Sequence, residues 1–207
     1  MPDLKYELLA KQNGYKVVAG IDEAGRGPLA GPVSAAAVIL PPGFSHDTLT
    51  DSKKLTEKRR EALYEELTQN PEIYWAQSYV DVDEIDEINI LKATHLAMAR
   101  AAQALALEVD HCLIDGLAVP HFPISSEGIV KGDSKSLSIA AASIIAKVSR
   151  DRLMVDYAEK YPEYGFERHK GYGTKVHKEA LLTHGPCPIH RMSFAPVVEA
   201  AASVGIA

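Results

Sequence analysis

The stretch Gly20-Ile-Asp-Glu-Ala-Gly-Arg-Gly-Pro-Leu-Ala-Gly-Pro-Val33 places two carboxylates, Asp22 and Glu23, between an apolar run and a glycine-rich turn. The apolar run covers residues 17–22, and a second one, residues 33–40, stops at a Pro-Pro-Gly turn. Apolar runs with β-branched residues that are bounded by glycine or proline are typical of strands. The stretch therefore predicts two paired strands joined by a glycine-rich turn.

A third strand and a long helix follow. The side chains of residues 73–80 fall into two sets at alternating positions, as they do on the two faces of a strand. This alternation predicts a third strand. Asn89 is a common helix-capping residue, and it precedes a segment from residue 90 to about 107 in which Leu91 and Leu105 share one apolar face. The pattern indicates a helix that leads directly into the next strand.

The apolar run His111-Cys-Leu-Ile-Asp115 ends before a glycine and predicts a fourth strand. Because a helix precedes it, the connection can act as a crossover that makes this strand parallel to an earlier one. A second long helix is expected from about Ser136 to Lys160, and the small side chains of residues 140–146 suit close packing against a sheet. Together these elements predict an α/β domain with a mixed sheet, a class that alone gives no function.

The length and composition predict one domain, or one domain with a helical appendage, over residues 1–207, with one catalytic unit as the default. A chain of 207 residues can bury a substantial core, and 46% hydrophobic and 24% charged residues are typical of globular proteins. We find neither a signal peptide, with a basic region followed by an apolar one, nor a run of about 18 apolar residues. The sequence has only two cysteines. Since no heptad seam is present either, we expect a cytoplasmic monomer without membrane contact.

The charge is unevenly distributed along the chain. A net charge of −6 at pH 7 argues weakly against a nucleic-acid partner, because lysine and arginine usually neutralise phosphates in such complexes. However, acidic residues outnumber basic ones over residues 1–128, and the reverse holds over residues 129–191. The C-terminal half can therefore hold a polyanion, although such basic surfaces also occur in proteins that bind none.

Acidic residues end two of the predicted strands. Asp115 ends its strand as Asp22 and Glu23 end theirs, so these acids converge if the two strands are parallel neighbours. Asp133 lies just before the second long helix, where it can either join them or start the helix. Clustered carboxylates repel one another unless a cation compensates them, and four such acids suit one or two Mn²⁺ or Mg²⁺ ions. If the acids are instead solvated turn residues, no metal site forms.

Residues that suit a nucleic-acid contact lie beside the acids and in the basic half. The backbone is accessible at Gly25, Arg26 and Gly27, so its N–H and C=O groups can recognise a 2′-hydroxyl. The side chain of Arg26 can contact a phosphate. Tyr172 lies between two glycines in a basic stretch, so a base or sugar can pack on its ring. Lys53 is a further candidate for a phosphate contact. The alternatives are an ordinary solvated loop and a plain surface lysine.

One other metal site needs to be considered. His184, Cys187 and His190 are spaced three apart, and zinc can use such ligands. A structural zinc site normally has four ligands, and prolines on both sides of Cys187 are typical of a turn. The spacing therefore favours a turn over a zinc site.

Several motifs of this chain resemble those of bacterial ribonuclease HII, in the same order. The run Asp22-Glu-Ala-Gly-Arg-Gly-Pro-Leu-Ala-Gly-Pro-Val33 resembles the signature of that family. The later similar motifs are Leu113-Ile-Asp-Gly116, Lys131-Gly-Asp-Ser-Lys135, Ala140-Ala-Ala-Ser-Ile-Ile-Ala-Lys147, His169-Lys-Gly-Tyr172 and Pro188-Ile-His-Arg191. Together they span residues 17 to about 198, which is essentially the whole chain.

The resemblance implies a ribonuclease H-like fold with a mixed five-stranded sheet flanked by helices. It also implies a C-terminal helical extension over roughly residues 160–207 that contacts the substrate. The implied activity is hydrolysis of the RNA strand of RNA-DNA hybrids and incision 5′ of single ribonucleotides in duplex DNA, which leaves a 3′-hydroxyl and a 5′-phosphate. Mn²⁺ or Mg²⁺ is the implied cofactor.

The same resemblance assigns roles to individual positions. The residues that match the family's catalytic, metal-binding carboxylates are Asp22, Glu23, Asp115 and Asp133. Those that match its motif for recognising the ribonucleotide are Gly25, Arg26 and Gly27. Tyr172 matches the tyrosine that packs on the adjacent deoxyribose.

Two other hypotheses stay open at this point. A related nuclease of the same fold, such as ribonuclease HIII or a resolvase, shares the acids but is expected to lack the combination of Gly25-Arg26-Gly27 with Tyr172. A non-catalytic nucleic-acid-binding module is favoured only if the acids are solvated turn residues.

Overall fold

The computed structural model describes residues 1–205, which contain one five-stranded sheet with helices against it. The strands are β1 (Val18–Ala24), β2 (Val33–Ile39), β3 (Tyr74–Val80), β4 (His111–Asp115) and β5 (Ser126–Ile129). The helices are α1 (Lys5–Gln12), α2 (Glu57–Gln69), α3 (Val82–Ile88), α4 (Ile90–Gln103), α5 (Leu137–Lys160), α6 (Phe166–His169), α7 (Lys175–His184) and α8 (Ala195–Ser203). Two short 3₁₀ turns cover Ser52–Lys54 and Gly132–Ser134.

The sheet is mixed, and its strand order is β3-β2-β1-β4-β5. β1 pairs antiparallel with β2, as predicted, and β2 pairs antiparallel with β3. After the crossover through α4, β4 lies parallel to β1, with Ile21 opposite Ile114. The predicted mixed sheet and the predicted parallel crossover are therefore confirmed.

Alternate residues of β2 pack against helices on opposite faces of the sheet. Ala35 belongs to the core that includes α4, whereas Ala36 belongs to the core that includes α5. Residues 140–146 of α5 are all buried, so their small side chains do serve close packing. Gly20 permits this approach, because a Cβ at that position would lie 2.3 Å from the carbonyl carbon of Ser138. The helix that follows Asp133 is thereby held directly on β1.

The helix predicted from residue 90 to about 107 ends earlier, at Gln103. Leu91, which the prediction placed on the buried face, is half exposed, whereas Leu105 packs into the core. The Asn89 side chain accepts a hydrogen bond from the Leu91 backbone N–H, which fixes a first turn that carries Leu91 towards solvent. The chain then leaves the helix so that Leu105 can enter the core from the turn before β4.

Several elements lie outside the predictions made from residue patterns, among them β5, α1, α2 and α3. A fifth strand was implied only by the resemblance, because in β5 just Ile129 is buried and no apolar run marks it. β5 forms because β4 offers a parallel edge, on which Asp115 pairs with Ile129. Helices α1 and α2 bury two residues each, so their apolar faces are too narrow to be recognised.

The chain after α5 forms three helices around a small core of their own. This core also takes in Leu29 and Ala30 from the turn after β1, together with Met154 from α5. None of the helices within residues 1–205 is long and apolar enough to cross a membrane. The single-domain boundaries stay a prediction.

Candidate active site

β1 and β4 place two aspartates side by side. Ile21 and Ile114 are paired, and Asp22 and Asp115 follow them directly in the parallel register. Because paired residues of neighbouring strands point to the same face of a sheet, the two carboxylates start on the same side. β1 continues beyond its acids, so Asp22 and Glu23 lie within the strand rather than after it.

Asp133 reaches these two residues from a 3₁₀ turn. Oδ1 of Asp115 accepts hydrogen bonds from the backbone N–H groups of Gly132, at 2.6 Å, and of Asp133, at 3.4 Å. One oxygen atom from each of Asp22, Asp115 and Asp133 lies within 4.8 Å of the other two, and we call these three residues the aspartate cluster. Asp133 does not start α5, because Ser136 caps that helix.

Glu23 stands beside this group rather than within it. Its side chain leaves the strand on the opposite face from Asp22, since neighbouring residues of a strand alternate. Oε1 of Glu23 lies 3.4 Å from Nη1 of Arg26, whose side chain is half exposed. The structure therefore brings three of the four predicted carboxylates together and pairs the fourth with the glycine-rich turn.

Burial and mutual repulsion destabilise the charged forms of these acids. Burial, followed by the charges of Glu23 and Asp115, raises the pKa of Asp22 well above its ordinary value. Burial and then the charge of Asp115 raise the pKa of Asp133. Burial also raises the pKa of Glu23, and the charge of Arg26 partly offsets it. A divalent cation compensates such charges, so the donor set fits a metal site.

The 3₁₀ turn at residues 52–54 brings Lys53 to the aspartate cluster. Partial burial lowers the pKa of Lys53, but the negative charges of Asp22, Asp51 and Asp133 outweigh burial and the pKa is raised. Asp51 starts this turn by accepting a hydrogen bond from the Lys53 backbone N–H at 2.9 Å. Asp51 was not singled out from the sequence, although an aspartate followed by a serine is a turn signal.

The glycine loop, residues 25–32, leaves β1 beside the acids. Gly25 has a φ of 90°, and a Cβ there would lie 2.0 Å from Nε of Arg150, so only glycine fits. A Cβ on Gly27 would meet only Cε1 of Tyr172, at 3.7 Å. The glycine loop and the ring of Tyr172 are therefore neighbours, and open space lies in front of both. Tyr172 is 43% exposed.

Two buried arginines, which the sequence analysis did not single out, hold this loop. Arg150 donates hydrogen bonds of 2.9 Å to the carbonyl oxygens of Ala30, Pro32 and Lys170. It thereby ties the glycine loop to the segment that carries Tyr172. Arg191 holds the other side of the loop. No local pattern separates a buried arginine from a surface one, so their only signal was the place of Arg191 in a family-like motif.

The C-terminal histidines do not assemble a zinc site. Within residues 1–205, the aspartate cluster is the one group of three or more His, Cys, Asp or Glu ligands that lie close together. His190 instead approaches His177, with 2.9 Å between their Nε2 atoms, and its Nδ1 accepts a hydrogen bond from the Cys187 backbone N–H. His184 takes no part in these contacts, so the spacing reflects a turn, as the sequence favoured.

Comparisons with known proteins identify the family of this chain. The family model described as Ribonuclease HII matches residues 19–197. Proteins named Ribonuclease HII from Bacillus pumilus and Chlamydia trachomatis serovar L2 are 56% and 55% identical to this chain. Both similarities cover 94% of this chain, and they cover 76% and 89% of the respective relative.

Solved structures give the same result. Ribonuclease H2 from Pyrococcus horikoshii has a TM-score of 0.74 at 27% identity, covering 90% of this chain and 98% of that one. Ribonuclease HII from Archaeoglobus fulgidus, solved as a complex with PCNA, has a TM-score of 0.70 at 28% identity, covering 86% and 95%. A ribonuclease HIII solved with Mn²⁺ is 20% identical, which shows a shared fold only. Because the family model spans most of the chain and relatives share over half of its residues, the chain belongs to the ribonuclease HII family.

Proposed function

We propose that the chain hydrolyses the RNA strand of RNA-DNA hybrids and incises duplex DNA 5′ of single ribonucleotides. The cut leaves a 3′-hydroxyl and a 5′-phosphate. Family membership makes the chain an endoribonuclease that acts on nucleic acid, and the position of the cut is the finer part of the proposal. The observation that carries it is the aspartate cluster, which lies next to an accessible backbone loop and a partly exposed tyrosine ring.

We assign metal binding and catalysis to Asp22, Asp115 and Asp133, with Glu23 at the edge of the site. Oxygen donors of this kind fit Mn²⁺ or Mg²⁺, and the raised pKa of Asp22 fits an acid whose charge is balanced by a cation. When bound, such ions supply the positive charge that activates a water and stabilises the leaving oxygen of a phosphodiester. The three aspartates hold that charge against the sheet, and Lys53 adds a further positive charge.

Substrate recognition is assigned to the residues around the open space in front of the glycine loop. The backbone of Gly25, Arg26 and Gly27 recognises the 2′-hydroxyl, which is both a donor and an acceptor and distinguishes RNA from DNA. The side chains of Arg26 and Lys53 contact phosphates. Tyr172 packs on the adjacent deoxyribose. The proximity of Gly27 to Tyr172, whose Cε1 would lie 3.7 Å from a Cβ on Gly27, supports this arrangement, because both recognition elements are in one place.

The remaining parts of the proposal concern the whole chain. A single domain over residues 1–207 includes the extension from roughly residue 160, which contacts the substrate through Tyr172. The contacts of α5 and the glycine loop with the small C-terminal core support this unity. We propose a cytoplasmic monomer.

A nicking assay tests the proposal. The protein is incubated with a DNA duplex that holds one ribonucleotide, with an RNA-DNA hybrid and with an all-DNA duplex, in Mn²⁺, Mg²⁺ or a chelator. We expect metal-dependent nicking 5′ of the ribonucleotide and within the hybrid, and extension of the product by a DNA polymerase reports the 3′-hydroxyl. Cleavage of the all-DNA duplex, or activity that survives the chelator, rejects the proposal.

A further inference from the structure

Two buried arginines behind the glycine loop lack a carboxylate partner. Arg150 and Arg191 are both 0% exposed. Within residues 1–205, no ion pair at 4.0 Å or less includes either of them. A buried charge is costly unless hydrogen bonds compensate it. In this protein backbone carbonyl groups compensate both guanidinium groups, so the two side chains determine where those carbonyls point.

Arg191 contacts the part of the loop nearest to the acids. Its Nη2 donates to the carbonyl oxygen of Gly25 at 2.5 Å, and its Nη1 donates to that of Arg26 at 2.9 Å. Its Nε and Nη2 both donate to the carbonyl oxygen of Gly31, at 3.0 and 2.8 Å. One planar group therefore fixes two consecutive peptide units at the start of the loop and joins them to its end.

The orientation of two backbone amides follows from these bonds. In a planar trans peptide the C=O and the next N–H point in opposite directions. Because the carbonyls of Gly25 and Arg26 point at Arg191, the N–H groups of Arg26 and Gly27 point away from it. Within residues 1–205, neither of these two amides donates a hydrogen bond. A Cβ on Gly27 would meet only Cε1 of Tyr172, at 3.7 Å, so open space lies beside the Gly27 backbone.

We propose that Arg191 is a positioning residue that aims the N–H groups of Arg26 and Gly27 at the ribose 2′-oxygen of the substrate. This inference rests on the proposed function of the glycine loop and adds the side chain that sets its conformation. Arg191 touches neither substrate nor metal. Arg191 orients two adjacent N–H donors towards the position of one oxygen before the substrate binds. Binding then does not carry the free-energy cost of ordering these two donors.

A guanidinium is suited to this role and an ammonium is not. Arginine presents five donors in a rigid plane, whereas lysine presents three on one flexible centre and cannot span several carbonyls in the same way. Burial, followed by the charge of Arg150, lowers the pKa of Arg191 to about 9, so the group is still charged at neutral pH. Arg150 packs against Gly25 but donates to the carbonyls of Ala30 and Pro32, so its hydrogen bonds do not orient the Gly25 and Arg26 peptide groups.

The test compares Arg191→Lys with the wild type and with Leu67→Ala. Leu67 is buried in α2, in a core away from the loop, so its variant serves as a control for general loss of stability. For each protein we measure kcat/KM on a duplex with one ribonucleotide. The inhibition constant of an all-DNA duplex, used as a competitor in the same assay, reports contacts that do not involve a 2′-hydroxyl. Unfolding temperatures are measured alongside.

We expect Arg191→Lys to lower kcat/KM by on the order of 100-fold, as misplacement of a positioned group does, and to leave the inhibition constant of the all-DNA duplex within about twofold. Leu67→Ala lowers the unfolding temperature without that selective loss. Unchanged kcat/KM in Arg191→Lys, or equal losses in both measurements, overturns the inference. A wild type that does not prefer the ribonucleotide duplex refutes the proposed function itself, which is a distinguishable outcome.

A second measurement keeps the inference testable if Arg191→Lys does not fold. In Arg191→Ala, added guanidinium ion is expected to restore cleavage of the ribonucleotide duplex at least tenfold, whereas added ammonium is not. If Arg191→Ala also fails to fold, amide hydrogen exchange in the wild type tests the inference instead. The N–H groups of Arg26 and Gly27 then exchange fast, as unbonded amides do, and slow exchange at both overturns the inference.

Discussion

Oδ1 of Asp115 accepts a hydrogen bond of 2.6 Å from the backbone N–H of Gly132. The last residue of β4 thereby holds the 3₁₀ turn that carries Asp133, and one carboxylate oxygen of Asp115 is used to do so. A carboxylate oxygen of Asp115 also lies within 4.8 Å of oxygen atoms of Asp22 and Asp133. Two of the acids that we assign to the metal are therefore arranged by the protein itself, through a bond between residues 17 positions apart in the chain.

The first prediction concerns the aspartates. Asp22→Asn and Asp115→Asn each remove a charge but keep an acceptor oxygen, so the bond to Gly132 can persist. A bound metal ion contributes several kcal/mol to transition-state stabilisation, and each ~1.4 kcal/mol is a tenfold change in rate. We therefore expect kcat to fall on the order of 1,000-fold.

Without metal, Asp22→Asn should unfold at a temperature equal to or higher than the wild type at neutral pH. The reason is that burial and neighbouring charges disfavour the Asp22 carboxylate. Added Mn²⁺ should raise the unfolding temperature of the wild type more than that of the variant. Near-normal turnover in either asparagine variant contradicts the ligand assignment.

The second prediction separates the two glycines of the loop. Gly25→Ala introduces a side chain at a φ of 90° and against Arg150, so we expect a stability loss of at least about 1–3 kcal/mol together with loss of activity. Gly27→Ala meets only Tyr172 at an ordinary contact distance, so stability should change by less than about 0.5 kcal/mol. Its added methyl group stands where the sugar approaches, so cleavage should fall about 10- to 100-fold.

Urea unfolding and kcat/KM on the single-ribonucleotide duplex measure both glycine variants. If Gly27→Ala cleaves like the wild type, the open face of the loop is not the substrate side.

The third prediction concerns Tyr172. Its ring is half exposed beside Gly27, and within residues 1–205 no hydrogen bond of its hydroxyl group is found. Packing of a nucleotide on an aromatic ring contributes about 1–3 kcal/mol, so Tyr172→Ala should lower kcat/KM about 5- to 150-fold. Tyr172→Phe keeps the ring and is expected to stay within about twofold. Equal losses in the two variants point to the hydroxyl instead and contradict a packing role.

The fourth prediction concerns acid stability. Burial lowers the pKa of His177 and of His190 to about 4, from an ordinary value of 6.5. Between these values the unfolded chain binds protons that the native state excludes. The contribution of the two histidines to the free energy of unfolding is therefore fully present above about pH 6.5. It falls as the pH drops towards 4, by up to about 1.4 kcal/mol per pH unit for each histidine.

The raised pKa values of Asp22 and Asp133 act in the opposite direction, because the native state then takes up extra protons on acidification. A variant isolates the histidine contribution, since the aspartates are the same in both proteins. Between pH 7 and pH 5 the wild type should lose about 1–2 kcal/mol more unfolding free energy than His190→Gln. Parallel pH profiles in urea unfolding refute this assignment.

The sequence by itself determined four of the five strands, the pairing of β1 with β2 and the position of the acids along β1 and β4. Apolar runs with sharp glycine or proline ends specify β1, β2 and β4, and the helix before β4 specifies a parallel crossover. Asp22 and Asp115 both follow such runs, and they come side by side because β1 and β4 are parallel neighbours. These signals are local, because an apolar run and the turn residues that end it lie next to each other in the sequence.

Only the tertiary structure decided which other groups complete the site. Asp133 joins the aspartates through a bond to Asp115, Glu23 pairs with Arg26 instead, and β5 exists because β4 has an edge to fill. Arg191 reaches the glycine loop from 160 residues further along the chain. Such contacts depend on which segments the folded sheet and helices bring together, and no pattern among neighbouring residues encodes them.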